Sequence, residues 1–307
     1  MRIIFMGTPD FAVPTLTAIQ ESDHEVVGVV TAPDKPAGRG RKLQSSPVKK
    51  YAEAEDLAVF QPVKLRNPDF VEAMKALEAD FMVVVAFRML PQMVWELPKI
   101  GTFNLHAALL PDYRGAAPIN WVLINGERQT GMTTFFIDKQ IDTGNILLQE
   151  SMEIPLEWTA GDLHDEMMVK GAGLVMRTIE GIASGKLAPK QQDDSLFKHH
   201  APKIFKEDCR IIWDQSSEKI YHFIRGLSPF PTAWTTLEGN QLKIFFSKLS
   251  ELKEEGETGM IKVLQDQLFV KAADGWLEIT ELQLAGRKRM PTKVWLQGIR
   301  EIPTHFE

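Results

Sequence analysis

The stretch that decides the fold is "DFMVVVAF", residues 80–87, an apolar run whose only charged residue is its first. Two similar runs precede it, RIIFMG at residues 2–7 and EVVGVVTA at residues 25–32. Such β-branched runs, polar only at their ends, are typical of strands covered on both faces of a parallel sheet. Helical patterns alternate with them, at residues 11–20, 47–56 and 68–79. The alternation predicts an α/β domain with a doubly wound, mostly parallel sheet.

The second half of the chain changes character after a long predicted helix. Residues 159–184 have the helical pattern, with Thr159 and Asp162 placed as a capping box at its start. The polar stretch that follows has two prolines and no sustained period, which predicts a surface linker. Short strands with turn signals come next, preceded by one helix at residues 216–227, and predict a small OB-like β-barrel. The predicted parts are an α/β domain over residues 1–187, a linker over 188–207 and a barrel domain over 208–307.

Composition is that of an ordinary soluble globular protein and excludes several kinds of site. Of 307 residues, 44% are apolar and 25% are charged, and the formal net charge is -6. This sign argues against a protein coated in nucleic acid but is compatible with a local basic patch. The single cysteine, Cys209, allows neither an intramolecular disulfide nor a zinc site with several cysteines. No apolar run reaches membrane-spanning length, so we expect a cytoplasmic protein without a membrane partner.

The first strand-to-helix turn, MGTPDFAVP at residues 6–14, lacks a nucleotide-binding pattern. It contains Gly7 alone, where a dinucleotide site needs G-x-G-x-x-G and an ATP site needs a Walker motif. We therefore expect neither NAD nor ATP at this turn. A ligand of such a sheet is still expected beyond the carboxyl ends of its strands.

Two polar side chains lie in an otherwise apolar strand pattern, GTFNLH at residues 101–106. Side chains alternate along a strand, so Asn104 and His106 face the same way, near the end of the strand. An amide N–H and a protonated imidazole are suitable donors to the oxyanion of a tetrahedral intermediate. A nearby carboxylate stabilises a protonated imidazole, and either Asp138 or Asp142 is placed to provide it. The alternative is that His106 is a satisfied core residue and that Asp-Thr-Gly is only a turn.

Longer motifs resemble a known family of enzymes. They are MGTPDFAVPTL (6–16), APDKPAGRGRKL (32–43), NLHAALLPDYRGAAPINW (104–121), IDTG (141–144) and SPFPTAW (228–234). Together they extend over essentially the whole chain and are similar to the folate-dependent formyltransferases, in particular those that formylate methionyl-tRNA. The resemblance implies a Rossmann-like catalytic domain and an OB-like tRNA-binding domain. It also implies transfer of the formyl group of 10-formyltetrahydrofolate to the α-amino group of methionyl-initiator tRNA, for translation initiation, without a metal.

The resemblance implies site residues position by position. Asn104, His106 and Asp142 match the catalytic positions: the first two would stabilise the oxyanion, and Asp142 would support His106 and help to remove a proton through a water. The folate would lie against two segments. One is Phe87, Arg88, Met89 and Leu90, and the other is Ala108, Leu109, Leu110 and Pro111. The family commonly has Ser where this chain has Ala108, so backbone contacts are the expected ones there. Core packing is the alternative for both segments.

Basic residues are expected to hold the tRNA by its phosphate backbone. Those of a Gly/Pro-rich loop would bind the acceptor stem, and others lie in the linker and the barrel. The loop residues are Lys35, Arg39, Arg41 and Lys42. The linker residues are Lys203 and Lys206, and the barrel residues are Arg287, Lys288 and Arg289. The alternative for each group is a solvated surface. The tryptophans expected to pack the barrel instead of stacking on bases are Trp213, Trp234, Trp276 and Trp295.

Three other functions fit parts of this pattern. The nearest is a formyltransferase acting on an amino-sugar nucleotide, a substrate too small to need a basic clamp. A purine-pathway formyltransferase would lack the C-terminal domain. A tRNA-binding module without chemistry would not need Asn104, His106 and Asp142 together. Methionyl-tRNA is therefore the favoured acceptor, and we expect the enzyme to be a monomer.

Overall fold

The computed structural model describes residues 1–37 and 42–306, apart from the side chains of Ala37 and Lys42. In chain order the strands are β1 (Arg2–Gly7), β2 (Glu25–Val30), β3 (Lys35–Ala37), β4 (Lys42–Gln44), β5 (Val59–Phe60), β6 (Phe81–Val85), β7 (Gly101–His106), β8 (Arg114–Gly115), β9 (Gln129–Phe136), β10 (Ile146–Glu153), β11 (His200–Ala201), β12 (Ala233–Leu237), β13 (Asn240–Ser250), β14 (Ile261–Leu264), β15 (Gln267–Lys271), β16 (Trp276–Leu284) and β17 (Met290–Pro291). The α-helices are α1 (Val13–Gln20), α2 (Pro47–Ala54), α3 (Pro68–Ala76), α4 (Gln92–Trp95), α5 (Pro118–Ile124), α6 (Ala160–Ala183), α7 (Ser217–Leu227) and α8 (Thr292–Gln297).

The chain forms two units, each assembled from segments that are separate in sequence. The first unit comprises Met1–Gly115, Thr130–Met152 and His164–His200. The second unit comprises Ala116–Gln129, Glu153–Leu163 and Ala201–Glu307. The contiguous domains and the linker inferred from composition stay a prediction.

The first unit is built on a seven-stranded sheet in the order β10-β9-β7-β6-β1-β2-β5. The pairings from β7 through to β5 are parallel, whereas β9 runs antiparallel to β7. Every residue of β6 is buried. An apolar run of this kind suits a strand whose two faces are both covered by helices. The predicted doubly wound, mostly parallel sheet is confirmed.

Helices begin where the sequence provides caps. At α2 the Ser46 hydroxyl accepts the Lys49 N–H at 3.1 Å, and a proline follows at the first helical position. At α6 the Thr159 hydroxyl accepts the Asp162 N–H at 3.3 Å, while the Asp162 carboxylate accepts the Thr159 N–H at 2.8 Å. The predicted capping box of α6 is thus confirmed. Of the helices described above, none is both long enough and apolar enough to cross a membrane.

The second unit contains an antiparallel sheet in the order β12-β13-β16-β15-β14, with β17 paired to β16. The predicted C-terminal β domain is confirmed as an antiparallel sheet domain. The helix predicted at residues 216–227 is α7, which begins one residue later because Ser216 is its cap: the Ser216 hydroxyl accepts the Lys219 N–H at 3.3 Å. Three of the four tryptophans expected to pack this domain are buried, namely Trp213, Trp276 and Trp295. The fourth, Trp234, is half-buried.

Asp80 joins the starts of the two central strands, β1 and β6. Its carboxylate accepts the Arg2 N–H at 2.8 Å, and the Lys99 Nζ lies 3.5 Å away. The Arg2 N–H bond lowers the pKa of Asp80 below its usual range; burial acts in the opposite direction, and Lys99 adds to the lowering. Because the folded-state pKa is depressed, the carboxylate stabilises the fold above the unfolded-state pKa of about 4 and loses this effect as the pH falls through the folded-state pKa.

We predict that Asp80→Asn lowers the free energy of unfolding by about 1 kcal/mol at pH 7, because a charge-assisted hydrogen bond becomes a neutral one. The difference from the wild type should shrink as the pH falls below about 4. Urea unfolding at pH 7, 5 and 2 measures both effects. Asp23→Asn, at an exposed acid of the same unit, is the control. A wild-type advantage of constant size down to pH 2 would argue against an ionised carboxylate as its source.

Candidate active site

His106 is the last residue of β7, and its side chain is 5% exposed. Its Nε2 lies 2.9 Å from the Tyr113 carbonyl oxygen. A carbonyl only accepts hydrogen bonds, so Nε2 carries a proton and donates it. The other ring nitrogen, Nδ1, lies 3.7 Å from Oδ2 of Asp142, beyond direct hydrogen-bond distance. The ring is therefore fixed by one nitrogen and presents the other to a carboxylate.

Asp142 lies in the loop between β9 and β10, in a left-handed backbone conformation with φ of 57°. Its Oδ2 accepts the Gly115 N–H at 2.9 Å, which orients the carboxylate. Gly144 lies so close to the end of β9 that a Cβ there would be 1.7 Å from the Phe136 carbonyl oxygen. This loop is thus held against the sheet by backbone packing that only glycine allows.

Asp138, the other candidate partner of His106, has a different role. Its Oδ1 accepts the Thr143 hydroxyl at 2.8 Å and the Gln140 N–H at 3.0 Å. The Asp138 side chain therefore caps the turn of its own loop. The structure brings Asp142, and not Asp138, to the His106 ring.

Asn104 precedes His106 by two residues and shares its side of β7. In register, Asn104 lies between Val84 of β6 and Phe135 of β9. The side chain is half-buried, and its amide makes no hydrogen bond within the described parts of the chain. A partly buried amide without an internal partner is suited to bind a ligand. The structure therefore places all three predicted catalytic residues in the first unit.

The predicted folate segment at residues 108–111 is a buried turn held by Thr133. The Thr133 hydroxyl donates to the Ala108 carbonyl at 2.7 Å and accepts the Leu110 N–H at 3.0 Å. Gln149 donates to the Leu110 carbonyl at 2.8 Å. These backbone groups are therefore already paired, and the fully buried Ala108 methyl packs in the core.

The other predicted folate segment follows β6, whose end neighbours the end of β7. Its backbone groups at residues 87–90 make no hydrogen bond to any other residue that the structure describes. Met89 is 73% exposed, whereas Leu90 is buried. The Arg88 guanidinium donates to the carbonyls of Pro62 and Val63. This segment, unlike the turn at residues 108–111, has unpaired backbone donors and acceptors.

The strands β3 and β4 pair antiparallel as a β-hairpin and flank the basic loop predicted for the acceptor stem. Lys35 is exposed at the start of β3, and Asp34 beside it pairs with Lys49 at 2.7 Å. Hydrogen bonding from Lys49 and Gln61 lowers the pKa of Asp34 below its usual range. The base of the hairpin is thereby tied to α2. Three predicted groups, namely Arg39, Arg41 and the side chain of Lys42, lie outside the described residues.

The basic residues predicted in the second unit differ in what they contact. All five are exposed, and four of them make no ion pair within the described residues, namely Lys203, Lys206, Arg287 and Lys288. Arg289 instead forms two bonds of 2.7 Å to Glu281, with its guanidinium 4.2 Å from the centre of the Phe245 ring. Its charge is largely neutralised within the fold, so a structural role competes with phosphate binding. Arg287 and Lys288 have no acidic partner among the described side chains.

Within residues 1–37 and 42–306, no group of three or more His, Cys, Asp or Glu side chains is arranged to hold a metal ion. Cys209 is buried, and burial raises the pKa of its thiol to about 11. A thiolate ligand at this position is therefore unfavourable.

Several contacts of the site gave no recognisable signal in the sequence. The Tyr113 carbonyl and the Gly115 N–H, which hold His106 and Asp142, are backbone groups that every residue type carries. Gln192 donates to the backbone of the Asp142 loop from a polar stretch predicted as a linker. Only a three-dimensional arrangement shows these groups, since no motif or period marks them.

Comparison with known proteins assigns the class. A formyl transferase family model matches residues 1–179, and a formyl transferase C-terminal domain model matches residues 203–300. These matches, with a donor-rich site at the end of a parallel strand, define an enzyme of the formyl transferase class.

Relatives of similar length narrow the assignment. A methionyl-tRNA formyltransferase of Bacteroides thetaiotaomicron is 46% identical over 310 residues, which cover 98% of this chain and 96% of that protein. One of Flavobacterium johnsoniae is 46% identical over 303 residues, covering 97% and 96%. The chain belongs to the methionyl-tRNA formyltransferase family.

Solved structures share the fold at lower identity. WlaRD, a sugar 3N-formyl transferase, has a TM-score of 0.67 at 20% identity and covers 94% of this chain and 99% of its own. HypX of Aquifex aeolicus, in complex with tetrahydrofolic acid, has a TM-score of 0.65 at 19% identity, covering 96% of this chain and 47% of its own. Methionyl-tRNA formyltransferase of Clostridium thermocellum has a TM-score of 0.57 at 18% identity, covering 82% and 95%. These likenesses show the fold alone.

We predict that Gly144→Ala lowers turnover at least about tenfold, because its Cβ meets the Phe136 carbonyl and must displace the loop that carries Asp142. Gly173→Ala in α6 is the matched control. There the added Cβ lies 3.6 Å from Arg177, an ordinary contact, and alanine favours a helix by up to about 1 kcal/mol. Steady-state kinetics and melting temperatures of both variants check this. Equal turnover in the two variants would show that the close approach is dispensable.

Proposed function

We propose that this enzyme transfers the formyl group of 10-formyltetrahydrofolate to the α-amino group of methionyl-initiator tRNA, giving N-formylmethionyl-tRNA. The observation that carries the proposal is the His106–Asp142 pair beside Asn104 at the end of β7. It lies in a chain 46% identical, almost end to end, to a curated methionyl-tRNA formyltransferase. A substrate that begins translation places the reaction in the cytoplasm. A monomer suffices, since one chain supplies all three side chains.

The three side chains divide the chemistry between them. The α-amine attacks the formyl carbon, and the carbonyl electrons move onto oxygen. Asn104 and Nδ1–H of His106 donate hydrogen bonds to this oxyanion, because Nε2–H of His106 is committed to Tyr113. Asp142 stabilises the protonated ring and accepts the amine proton through a water. The intermediate then re-forms its C=O bond and breaks its bond to N10 of the folate, which receives the proton from Asp142 through the water and leaves as tetrahydrofolate.

The folate is proposed to bind along the loop after β6. The unpaired backbone groups of Phe87, Arg88, Met89 and Leu90 can pair with the pterin edge, which presents donors and acceptors in one plane. The turn of Ala108, Leu109, Leu110 and Pro111 supports the site by shape, because most of its backbone groups are bonded within the protein. Two structures of the same fold carry folates, tetrahydrofolic acid in HypX and 5-N-formyl-THF with WlaRD.

The tRNA is proposed to bind through its phosphates. The cations of the basic loop, Lys35, Arg39, Arg41 and Lys42, would hold the acceptor stem, with Lys203, Lys206, Arg287 and Lys288 contacting the backbone elsewhere. Arg289 is the weakest of these proposed contacts, because Glu281 already pairs with it. Such contacts are independent of base sequence and weaken with salt.

The sugar-nucleotide alternative is less well supported. WlaRD shares the fold, but at 20% identity that likeness carries no substrate information. The relatives at 46% identity are methionyl-tRNA formyltransferases, and the match covers nearly their full length. Transfer to methionyl-tRNA is therefore favoured.

An acceptor assay tests the function directly. The protein is incubated with 10-formyltetrahydrofolate labelled in the formyl group, and with either methionyl-initiator tRNA or a dTDP-linked amino sugar. Label in the acid-precipitable tRNA fraction supports the proposal. Label found only in the sugar nucleotide would replace it with the alternative.

We predict that Asn104→Ala and His106→Ala each reduce kcat by about 10²–10³-fold with little change in the KM for tRNA, because each removes a donor used mainly in the transition state. Asn240→Ala and His305→Ala make the same changes at exposed positions of the second unit and serve as controls. Single-turnover rates and melting temperatures separate chemistry from folding. A folded His106→Ala enzyme with wild-type turnover would remove His106 from the mechanism.

We predict that changing Arg39, Arg41 and Lys42 together to Gln raises the KM for tRNA about 10-fold or more at about 0.1 M salt. The slope of log KM against log salt should flatten by roughly 2–3, because about three phosphate contacts are lost. The control changes Lys75, Lys170 and Lys186 to Gln, which alters net charge equally at exposed sites on other elements. An equal effect in both triple variants would assign the tRNA attraction to overall charge and not to the basic loop.

A further inference from the structure

Gln192 is a buried side chain whose amide contacts the loop that carries Asp142. It is 7% exposed and lies in the polar stretch after α6. Its Nε2 donates to the carbonyl of Asp142 at 2.9 Å and to the carbonyl of Gly144 at 2.8 Å. Both amide hydrogens are therefore bound to the backbone on either side of Thr143.

The oxygen of the same amide holds Arg114. Oε1 of Gln192 accepts Nε–H and Nη2–H of Arg114 at 3.1 and 2.6 Å. The next residue, Gly115, donates its N–H to the Asp142 carboxylate. Carbonyls only accept and a guanidinium only donates, so the orientation of the Gln192 amide is determined by its partners. One side chain thus links the Asp142 backbone to the strand that orients the Asp142 carboxylate.

The course of the loop explains why such a link is needed. Phe136, at the end of β9, pairs with Phe103, whereas His106 pairs with Thr133. Three residues of strand span about 10 Å, so the loop must run back over that distance to bring Asp142 to His106. The backbone of Asp142 adopts a left-handed conformation, which is uncommon for residues other than glycine. Contacts from outside the loop are needed to hold such a course in one conformation.

We propose that Gln192 is a positioning residue for Asp142: it holds the returning loop and the Arg114–Gly115 strand at the separation at which the Asp142 carboxylate faces Nδ1 of His106. This inference rests on the proposed function. Glutamine fits because it provides two donors and a two-fold acceptor at one point. Glutamate at this position would turn a carboxylate oxygen, which cannot donate, towards two carbonyl oxygens. Asparagine is one methylene shorter, so its amide would lie further from the loop.

The test compares Gln192→Glu with Gln191→Glu. The two variants make the same chemical and charge change at neighbouring positions, one buried and one exposed. For Gln192→Glu we expect kcat to fall about 10- to 100-fold, because the Asp142 carboxylate would be displaced by about 1 Å. The KM values for folate and tRNA should stay within about twofold of the wild type. Gln191→Glu should keep both constants. Gln192→Ala removes both donations to the loop and both acceptances from Arg114 without adding a charge, and it should show the same split between kcat and KM.

A double-mutant cycle with Asp142→Asn identifies the residue through which Gln192 acts. If Gln192 works through Asp142, then Gln192→Glu should cost less than about threefold once Asp142 is already changed. The full 10- to 100-fold cost in the Asp142→Asn background would overturn the proposal. Folded Gln192→Glu and Gln192→Ala enzymes with wild-type kcat would overturn it as well.

The experiments distinguish a failure of the positioning role of Gln192 from a failure of the proposed formyl transfer. Absence of formyl transfer to methionyl-tRNA by the wild-type protein would contradict the proposed function. Wild-type transfer with unchanged kcat in both Gln192 variants would contradict only the positioning role. Melting temperatures identify a variant that has lost its fold, and in that case the other Gln192 variant decides.

Discussion

The candidate active site depends on a single imidazole ring held between a backbone carbonyl and a carboxylate. Nε2–H of His106 donates to Tyr113, so Nδ1 is left facing Asp142 at 3.7 Å. An imidazole with one nitrogen committed to the backbone has one tautomer when neutral and one free position for a second proton. If that proton or the ring plane were not fixed, neither Asn104 nor Asp142 would have a defined partner in the reaction.

The sheet provides the rigid frame for this ring. β7 lies between the parallel β6 and the antiparallel β9, so both edges of its backbone are bonded. Thr133, the register partner of His106, also ties down the turn that follows β7 through the Ala108 carbonyl and the Leu110 N–H. The positions of Asn104 and His106 are therefore determined by the buried sheet and not by a loop. Sites built on strands hold geometry more tightly than sites built on loops.

The carboxylate is the exception, because it comes from a loop. Its placement requires the close approach of Gly144 to the Phe136 carbonyl, the Gly115 N–H on the carboxylate, and the Gln192 amide on the loop backbone. The first contact is local to the loop, and the other two come from distant parts of the chain within the first unit. A loop secured in this way holds its carboxylate in one position. The proposed transfer needs such a fixed group, because the amine and the formyl carbon must meet in one geometry.

Much of this protein was determined by the sequence alone. The apolar run at residues 80–87 predicted a parallel strand, because it is short, rich in β-branched valine and unbroken by polar residues, as in a strand covered on both faces. The two-residue period of a strand placed Asn104 and His106 on one side without any tertiary information. The tertiary structure decided what period and composition cannot encode. It selected Asp142 over Asp138, because the β9–β10 loop turns back towards His106 and Asp138 caps the turn. It paired Arg289 with Glu281, and it brought Gln192, fifty residues further along the chain, onto the Asp142 loop. Such contacts depend on how the backbone turns and pairs, and no period or motif in the sequence specifies them.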